Sequence, residues 1–258
     1  MGQPVVTRLL AWEQEQADVL LADVFGYHAV QLGWSELAAL RSNRMPHRWL
    51  AHAEFENGLS LDAEPSDVAA HLYIDSRAWP WASDSLDLVV LPHVLEQSAD
   101  PHACLREVER VLIPEGQVLI TGINPWSWWG LRHSLEQRRG ADINHAPASL
   151  IGYKRLRDWL RLLGFEVQVS RFWGWTPALG SEAWMQRLGF MDKLGARWWP
   201  ILGGTYLLMA TKRVPGGRLI DGRRWRTLRS PSATTAPITR SDSSAGRLPA
   251  SKDFVEPR

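Results

Sequence analysis

The sequence predicts an α/β fold, a largely parallel sheet covered by helices, and three observations lead to it. Residues 86–91 (LDLVVL) and 117–121 (QVLIT) are short, nearly continuous apolar runs, as strands buried on both faces are. Between them lies a segment of helical period closed by Pro114-Glu115-Gly116, so the order is strand, helix, strand at the length a parallel βαβ unit requires. The chain has 258 residues, enough for one such domain with a large core.

The remaining elements follow in order. Residues 9–24 carry helical periodicity through Leu9, Trp12, Gln16, Val19, Leu20 and Asp23 and are expected to cap the sheet. Residues 27–33 (YHAVQLG) read as a strand ending in Gly33, and Ser35 suits the N-cap of a short helix over 36–41. A second strand is expected over 47–55, a polar turn-rich stretch over 57–67, and a third strand over 69–75. The pattern breaks at 124–147, which holds Trp126, Trp128, Trp129, His133 and Arg138-Arg139, and which reads as a cap inserted after the fifth strand. A helix over 153–163 stops at Gly164-Phe165. A strand over 166–172, a helix over 180–194 and a last strand over 206–211 complete the domain, which is expected to span 1–213.

Charge is unevenly spread. From residue 211 onward the chain carries eleven Lys/Arg and four Asp/Glu, a net of +7, against +1 for the whole chain. An acidic body therefore bears a basic tail, 214–258, whose Ser, Pro, Gly and Arg content offers too little apolar surface to offset ordering entropy. Its densest part, Arg223-Arg224-Trp225-Arg226, has the charge to meet the phosphates of a nucleic acid, against the plainer reading of a solvated extension. Cys104 is the single cysteine, which rules out an intrachain disulfide and suits a small packing residue. No apolar run reaches transmembrane length, and Arg8, Glu13, Glu15 and Asp18 interrupt the N-terminus, so a soluble cytoplasmic protein without membrane contact or an obligate protein partner is expected. The eight His residues show no metal-ligand spacing, so no metal is expected.

One stretch carries more than fold class. Asp75, Trp79-Pro80-Trp81, Ser85-Leu86-Asp87, His93-Val94-Leu95-Glu96, Asp100-Pro101, Glu107, Arg110-Val111-Leu112 and Pro114-Glu115-Gly116 fall in register. This series resembles the core of the class I S-adenosylmethionine-dependent methyltransferases, of the type 11 kind, over roughly residues 27–213. The resemblance implies a Rossmann-like three-layer sandwich whose seven-stranded, mostly parallel sheet has a reversed last strand. It also implies S-adenosylmethionine as cofactor and methyl transfer to a small-molecule acceptor.

The same resemblance assigns residues. The loop after the first strand would meet the methionine part of the cofactor, but here it reads Gln31-Leu32-Gly33-Trp34. One glycine stands where three are usual, and Gln31 replaces an acid. Trp34 either fills the cofactor's space or packs outward. Glu54 is the candidate for the ribose hydroxyls, against a solvated strand-end carboxylate. Asp75 and Ser76 are the candidates for the adenine, against turn capping by Asp75. Leu91, Pro92 and His93 end the fourth strand, where relatives line the sulfonium and the acceptor. His93 is the candidate to orient substrate or accept a proton, against a strand-end His bonded to backbone. Trp126, Trp128 and Trp129, with Trp173 and Trp175, flank the expected cleft mouth and are read either as a platform for a planar or apolar acceptor or as a hydrophobic lid. Asn124-Pro125-Trp126 follows the fifth strand rather than the fourth, so it reads as the turn leaving the sheet and not as an amino-methyltransferase motif. Methyl transfer asks mainly for alignment, worth about 7–11 kcal/mol, so the missing base does not count against it. A methyltransferase fold that has lost its cofactor and serves for binding is the rival reading, and the altered loop is its support.

Overall fold

The computed structural model describes residues 3–53, 70–139, 150–176, 194–195 and 197–214. Glu54, the 57–67 stretch, the end of the expected cap from 140, nearly all of the helix expected over 180–194 and the basic tail from 215 lie outside the described residues.

Seven strands form one sheet: β1 (His28–Leu32), β2 (His47–Ala53), β3 (Ala70–Ile74), β4 (Leu86–Pro92), β5 (Leu112–Ile123), β6 (Phe165–Trp173) and β7 (Thr205–Lys212). Their order is β3-β2-β1-β4-β5-β7-β6. Strands β1 to β5 run parallel, and β7 pairs antiparallel with both β5 and β6. Helices α1 (Gln3–Leu21), α2 (Val94–Gln97), α3 (Pro101–Val111), α4 (Trp128–Arg139) and α5 (Tyr153–Leu162) accompany them among the described residues. This is the three-layer sandwich expected, with β7 as the reversed strand.

The absence of alternation in the strands has a direct cause. Val89 and Leu91 of β4, Val118 and Ile120 of β5, and Leu208 and Ala210 of β7 pack under α3 and α5. Leu88 and Val90, Leu119, and Leu207 and Met209 pack on the other face under α1 and residues 37–45. Both faces are dry, so both parities of each strand are apolar.

Local chemistry sets the element ends. Asp100 caps α3, its Oδ1 accepting from the Ala103 N–H at 2.9 Å, and Pro101 follows at the first turn. That Asp-Pro pair splits the single helix expected after His93 into α2 and α3. Asp87 Oδ2 accepts from the N–H groups of Tyr27 and His28, both at 2.9 Å, and seats the start of β1 against β4. A Cβ on Gly26 would lie 2.4 Å from the Asp87 side chain, so only glycine permits this approach. Arg110 donates to the carbonyls of Trp81 and Trp79 at 3.0 and 3.1 Å, while Glu107 accepts from the Trp79 N–H at 2.9 Å. The Glu107/Arg110 pair thus clamps the Trp-Pro-Trp turn between β3 and β4.

Three expectations change. The buried stripe of α1 is Val5, Leu9, Glu13, Ala17 and Leu21, while Val19 is 58 % exposed; the helix is turned so that four-residue steps face inward. Ser35 caps nothing: residues 39–42 form a 3₁₀ turn preceded by Ala38 with no side-chain cap, because the backbone groups of this loop are bonded by Gln31 instead. Pro114-Glu115-Gly116 lies inside β5 as an irregularity, with Glu115 at φ +67° and the pairing to β4 slipping between Leu86 and Leu88.

Leu119 is fully buried in the middle of β5, between β4 and β7. Leu119→Ala should lower the free energy of unfolding by about 2–5 kcal/mol, as large-to-small core changes do, read from urea denaturation.

Candidate functional site

In an open sheet of this order the ligand crevice lies outside the carboxyl ends of the strands where the order reverses, here between β1 and β4. The loop leaving β1 makes a left-handed turn, with Gly33 at φ +78° and Trp34 at φ +33°. The turn has the form a glycine-rich loop would take, but its second position carries an indole in a region unfavourable to bulky side chains.

Gln31 holds this loop shut. Its Nε2 lies 3.3, 3.0 and 2.5 Å from the carbonyls of Gly33, Trp34 and Leu37, and its Oε1 accepts from the Ala39 N–H at 3.1 Å. The residue is buried, so each of these partners replaces a water that cannot enter. Gly33 in turn donates to the Ala51 carbonyl at 2.8 Å. The loop is therefore stapled from inside and folded against β2.

Across the crevice, β4 ends in Leu91 and Pro92, both buried, and His93 follows at φ +55°. The Trp34 ring meets the His93 ring edge-on at 4.7 Å between centroids. His93 Nε2 lies 2.8 Å from Glu13 Oε1 of α1, and its Nδ1 lies 3.3 Å from Glu96 Oε2 of α2. The other Glu96 oxygen accepts from the Ile123 N–H at the end of β5. Burial alone would pull the imidazole pKa down, but the charge and hydrogen bond of Glu13, reinforced by those of Glu96, outweigh it and raise the pKa to about 10. Both ring nitrogens thus face carboxylate oxygens, an arrangement that favours the imidazolium. An imidazolium so held would be a poor acceptor for the proton that the sequence reading assigned to it.

These residues do not fit the methionine end of S-adenosylmethionine. Between the β1 loop and the end of β4 the Trp34 indole packs against the Glu13-bound His93 ring, where a glycine would leave the backbone open to a ligand. Glu13 itself is fully buried. Sequence reasoning missed it, though a signal was present: an acid in the stripe Val5, Leu9, Glu13, Ala17, Leu21.

The other expected residues are dispersed. Asp75 binds its own turn, accepting from the Arg77 N–H at 2.8 Å and pairing with the Arg77 guanidinium at 3.1 Å, which holds its carboxyl below the usual range. Ser76 is buried beside Ser98, 3.5 Å between hydroxyls. Glu54 lies outside the described residues. Trp129 is buried against Val5 and Leu9 of α1 and Trp173 of β6, its Nε1 donating to the Thr176 carbonyl at 2.9 Å.

Trp126 and Trp128 stand elsewhere, in the wall of an apolar cavity of about 740 Å³ beside the end of β5, with Leu131, Trp175, Trp199 and Leu202. Its floor is built by the turn after β5. Asn124 Nδ2 donates to the carbonyls of Ile201 and Gly203, at 2.6 and 3.1 Å, tying this turn to the segment before β7. Ser127 caps α4, its Oγ accepting from the Gly130 N–H at 3.1 Å. Trp175 Nε1 donates to the Trp199 carbonyl at 2.9 Å. Trp199 had no distinguishing signal in the sequence, since only the tertiary fold brings it to Trp126. Among the described residues no cluster of His, Cys, Asp or Glu could hold a metal ion, and no helix is long and apolar enough to cross a membrane.

Comparison with known proteins agrees with this geometry. Residues 50–120 match the model of a family described as methyltransferase domain; the match begins after the β1 loop. The chain is 43 % identical over 116 residues to an uncharacterized Escherichia coli K12 protein, YafS, covering 44 % of this chain and 45 % of that protein. The match thus spans less than half of the relative's length. Among solved structures, a Haloferax volcanii complex of the Trm112 methyltransferase activator with a candidate methyltransferase superposes with a TM-score of 0.57 at 20 % identity, over 80 % of this chain and 90 % of that one. A SAM-dependent methyltransferase from Thermotoga maritima gives 0.56 at 17 % identity, over 80 % and 89 %. Another from Archaeoglobus fulgidus gives 0.53 at 15 %, over 79 % and 94 %. The chain shares the fold of these solved methyltransferase structures.

Two outcomes are expected of the closed edge. The His93 pKa is higher in the fold, about 10 against 6.5, so its contribution to stability is complete below pH 6.5 and is lost as pH rises through about 10. NMR titration should find the His93 ring protonated at pH 8, and Glu13→Gln should lower its pKa. Gln31→Ala leaves buried loop groups without partners and should cost about 1–3 kcal/mol in urea denaturation.

Proposed function

We propose that this chain uses the methyltransferase fold to bind an apolar small molecule in the aromatic cavity, and that it does not use S-adenosylmethionine as a methyl donor. The observation that carries the reading is the closure between β1 and β4, where Gln31 staples the loop and Trp34 lies against the Glu13-bound His93. The half-buried Trp34 indole would have to leave the His93 ring for the methionine end of the cofactor to enter. The cavity beside β5 supports the other half of the reading. Its volume, about 740 Å³, falls in the range of about 300–1,000 Å³ typical of small-molecule sites. Trp126 and Trp128, 82 % and 61 % exposed, leave more aromatic surface uncovered than a monomer usually does.

A second reading is an S-adenosylmethionine-dependent methyltransferase acting on a small-molecule acceptor. The family match over 50–120 favours it, as does the left-handed turn kept at Gly33 and Trp34. It requires α1 and the Trp34 ring to swing out before the cofactor binds.

Calorimetric titration with S-adenosylmethionine and S-adenosylhomocysteine decides between them. The wild-type chain is expected to give no heat and no thermal stabilisation up to millimolar ligand. Micromolar binding by the wild type would overturn the first reading in favour of the second. Binding seen only after Trp34→Gly would identify the indole as what closes the site.

A further inference from the structure

A second cavity, of about 490 Å³, adjoins the aromatic one and shares Pro125, Trp126 and Leu202 with it. Its chemistry is different. Lys154 and Arg155, from the first turn of α5, line it. The aromatic cavity has no charged residue among its described lining residues, and neither cavity has a carboxylate among them. Lys154 and Arg155 are exposed, and neither is ion-paired among the described residues. The Arg155 guanidinium stacks over the Trp159 ring at 4.8 Å, a contact that orients the group without neutralising it. Trp126 forms the wall between the two chambers, so a ligand reaching from one to the other passes over its ring.

We propose that the paired cavities take an amphiphile with an anionic head: an apolar body among Trp126, Trp128, Trp175 and Trp199, and a carboxylate or phosphate at Lys154 and Arg155. This rests on the reading of the aromatic cavity as a binding site and adds the ligand's chemical class. The charge pattern selects the class. An apolar chamber alone would accept any oily molecule, but two cations in a chamber whose described lining residues include no carboxylate favour a negative head. Carboxylate and phosphate both suit a guanidinium and an ammonium, so the head is named by its charge.

The experiment titrates the full chain with dodecanoate, dodecyl phosphate, dodecanol and inorganic phosphate, all as monomers in solution, by calorimetry and tryptophan fluorescence. Both chain-bearing anions are expected to bind at least about tenfold tighter than dodecanol, the scale of one charge-assisted hydrogen bond. Inorganic phosphate alone should give no heat. Lys154→Ala with Arg155→Ala should abolish the preference and leave dodecanol affinity unchanged; both residues are on the surface, so the fold is retained. Trp126→Ala should weaken all three chain-bearing ligands. Equal affinity for dodecanol and dodecanoate, or a preference that survives the double substitution, would overturn the anionic head while leaving the cavity as a binding site. No binding by any chain-bearing ligand would overturn the binding-site reading and this one together. Attachment to phosphatidylglycerol vesicles without monomer binding would assign the tryptophans to a bilayer surface and likewise overturn the cavity proposal.

Discussion

The buried imidazolium of His93, held between Glu13 and Glu96, ties together the parts of the molecule on which its function depends. Glu13 belongs to α1, His93 to the end of β4 and Glu96 to α2, and the free oxygen of Glu96 reaches the end of β5. One cation therefore binds the covering helix to the sheet at the point where the strand order reverses. The cluster is buried, and Glu13 Oε2 has no hydrogen-bond partner among the described residues. Such a cluster adds little net stability compared with an apolar core, but removing one member strands the others. Its main effect is specificity: α1 can dock in one register only, with Glu13 over His93.

That docking decides what the β1–β4 crevice can hold. In an open sheet of this order the crevice is available because glycines let the loop stand away from β4. Here Gln31 draws the loop carbonyls inward, and Trp34 fills the opening against His93. The closure is polar at one end and aromatic at the other, and each half keeps water from the other. The exposed chemistry has moved along the sheet edge to the end of β5, where Asn124 latches the turn to the segment before β7 and leaves Trp126 and Trp128 facing outward.

The fold was legible because its signals are local or strictly periodic. Apolar runs at strand length, Asp100-Pro101 at a helix start and Gly164 at a helix end each act within a few residues. The resemblance over 75–116 was legible for a related reason: Glu107 and Arg110 clamp the Trp-Pro-Trp turn, so the motif records a structural need of the β3–β4 connection. The candidate site was only half legible. The altered loop at Gln31 and Trp34 could be seen, but not the direction of the indole. Glu13 was hidden because the apparent periodicity through Trp12, Gln16 and Leu20 lies one position from the buried stripe. Trp129 and Trp126, three residues apart on the turn into α4, have opposite fates, one buried against α1 and β6 and one in the open, which composition does not distinguish.

The sequence by itself determined the α/β class, the seven-stranded sheet with a reversed last strand by family resemblance, and the departure of the β1 loop from a glycine-rich cradle. It could do so because backbone propensity, capping and burial on two faces are written in neighbouring residues. Only the tertiary structure decided that Trp34 packs against His93, that His93 lies between Glu13 and Glu96 and that the tryptophans after β5 line a cavity next to two cations. Those outcomes depend on side chains distant in sequence, such as Glu13 and His93 or Trp126 and Trp199, meeting in a low-dielectric interior, where a few ångströms set both charge state and available space.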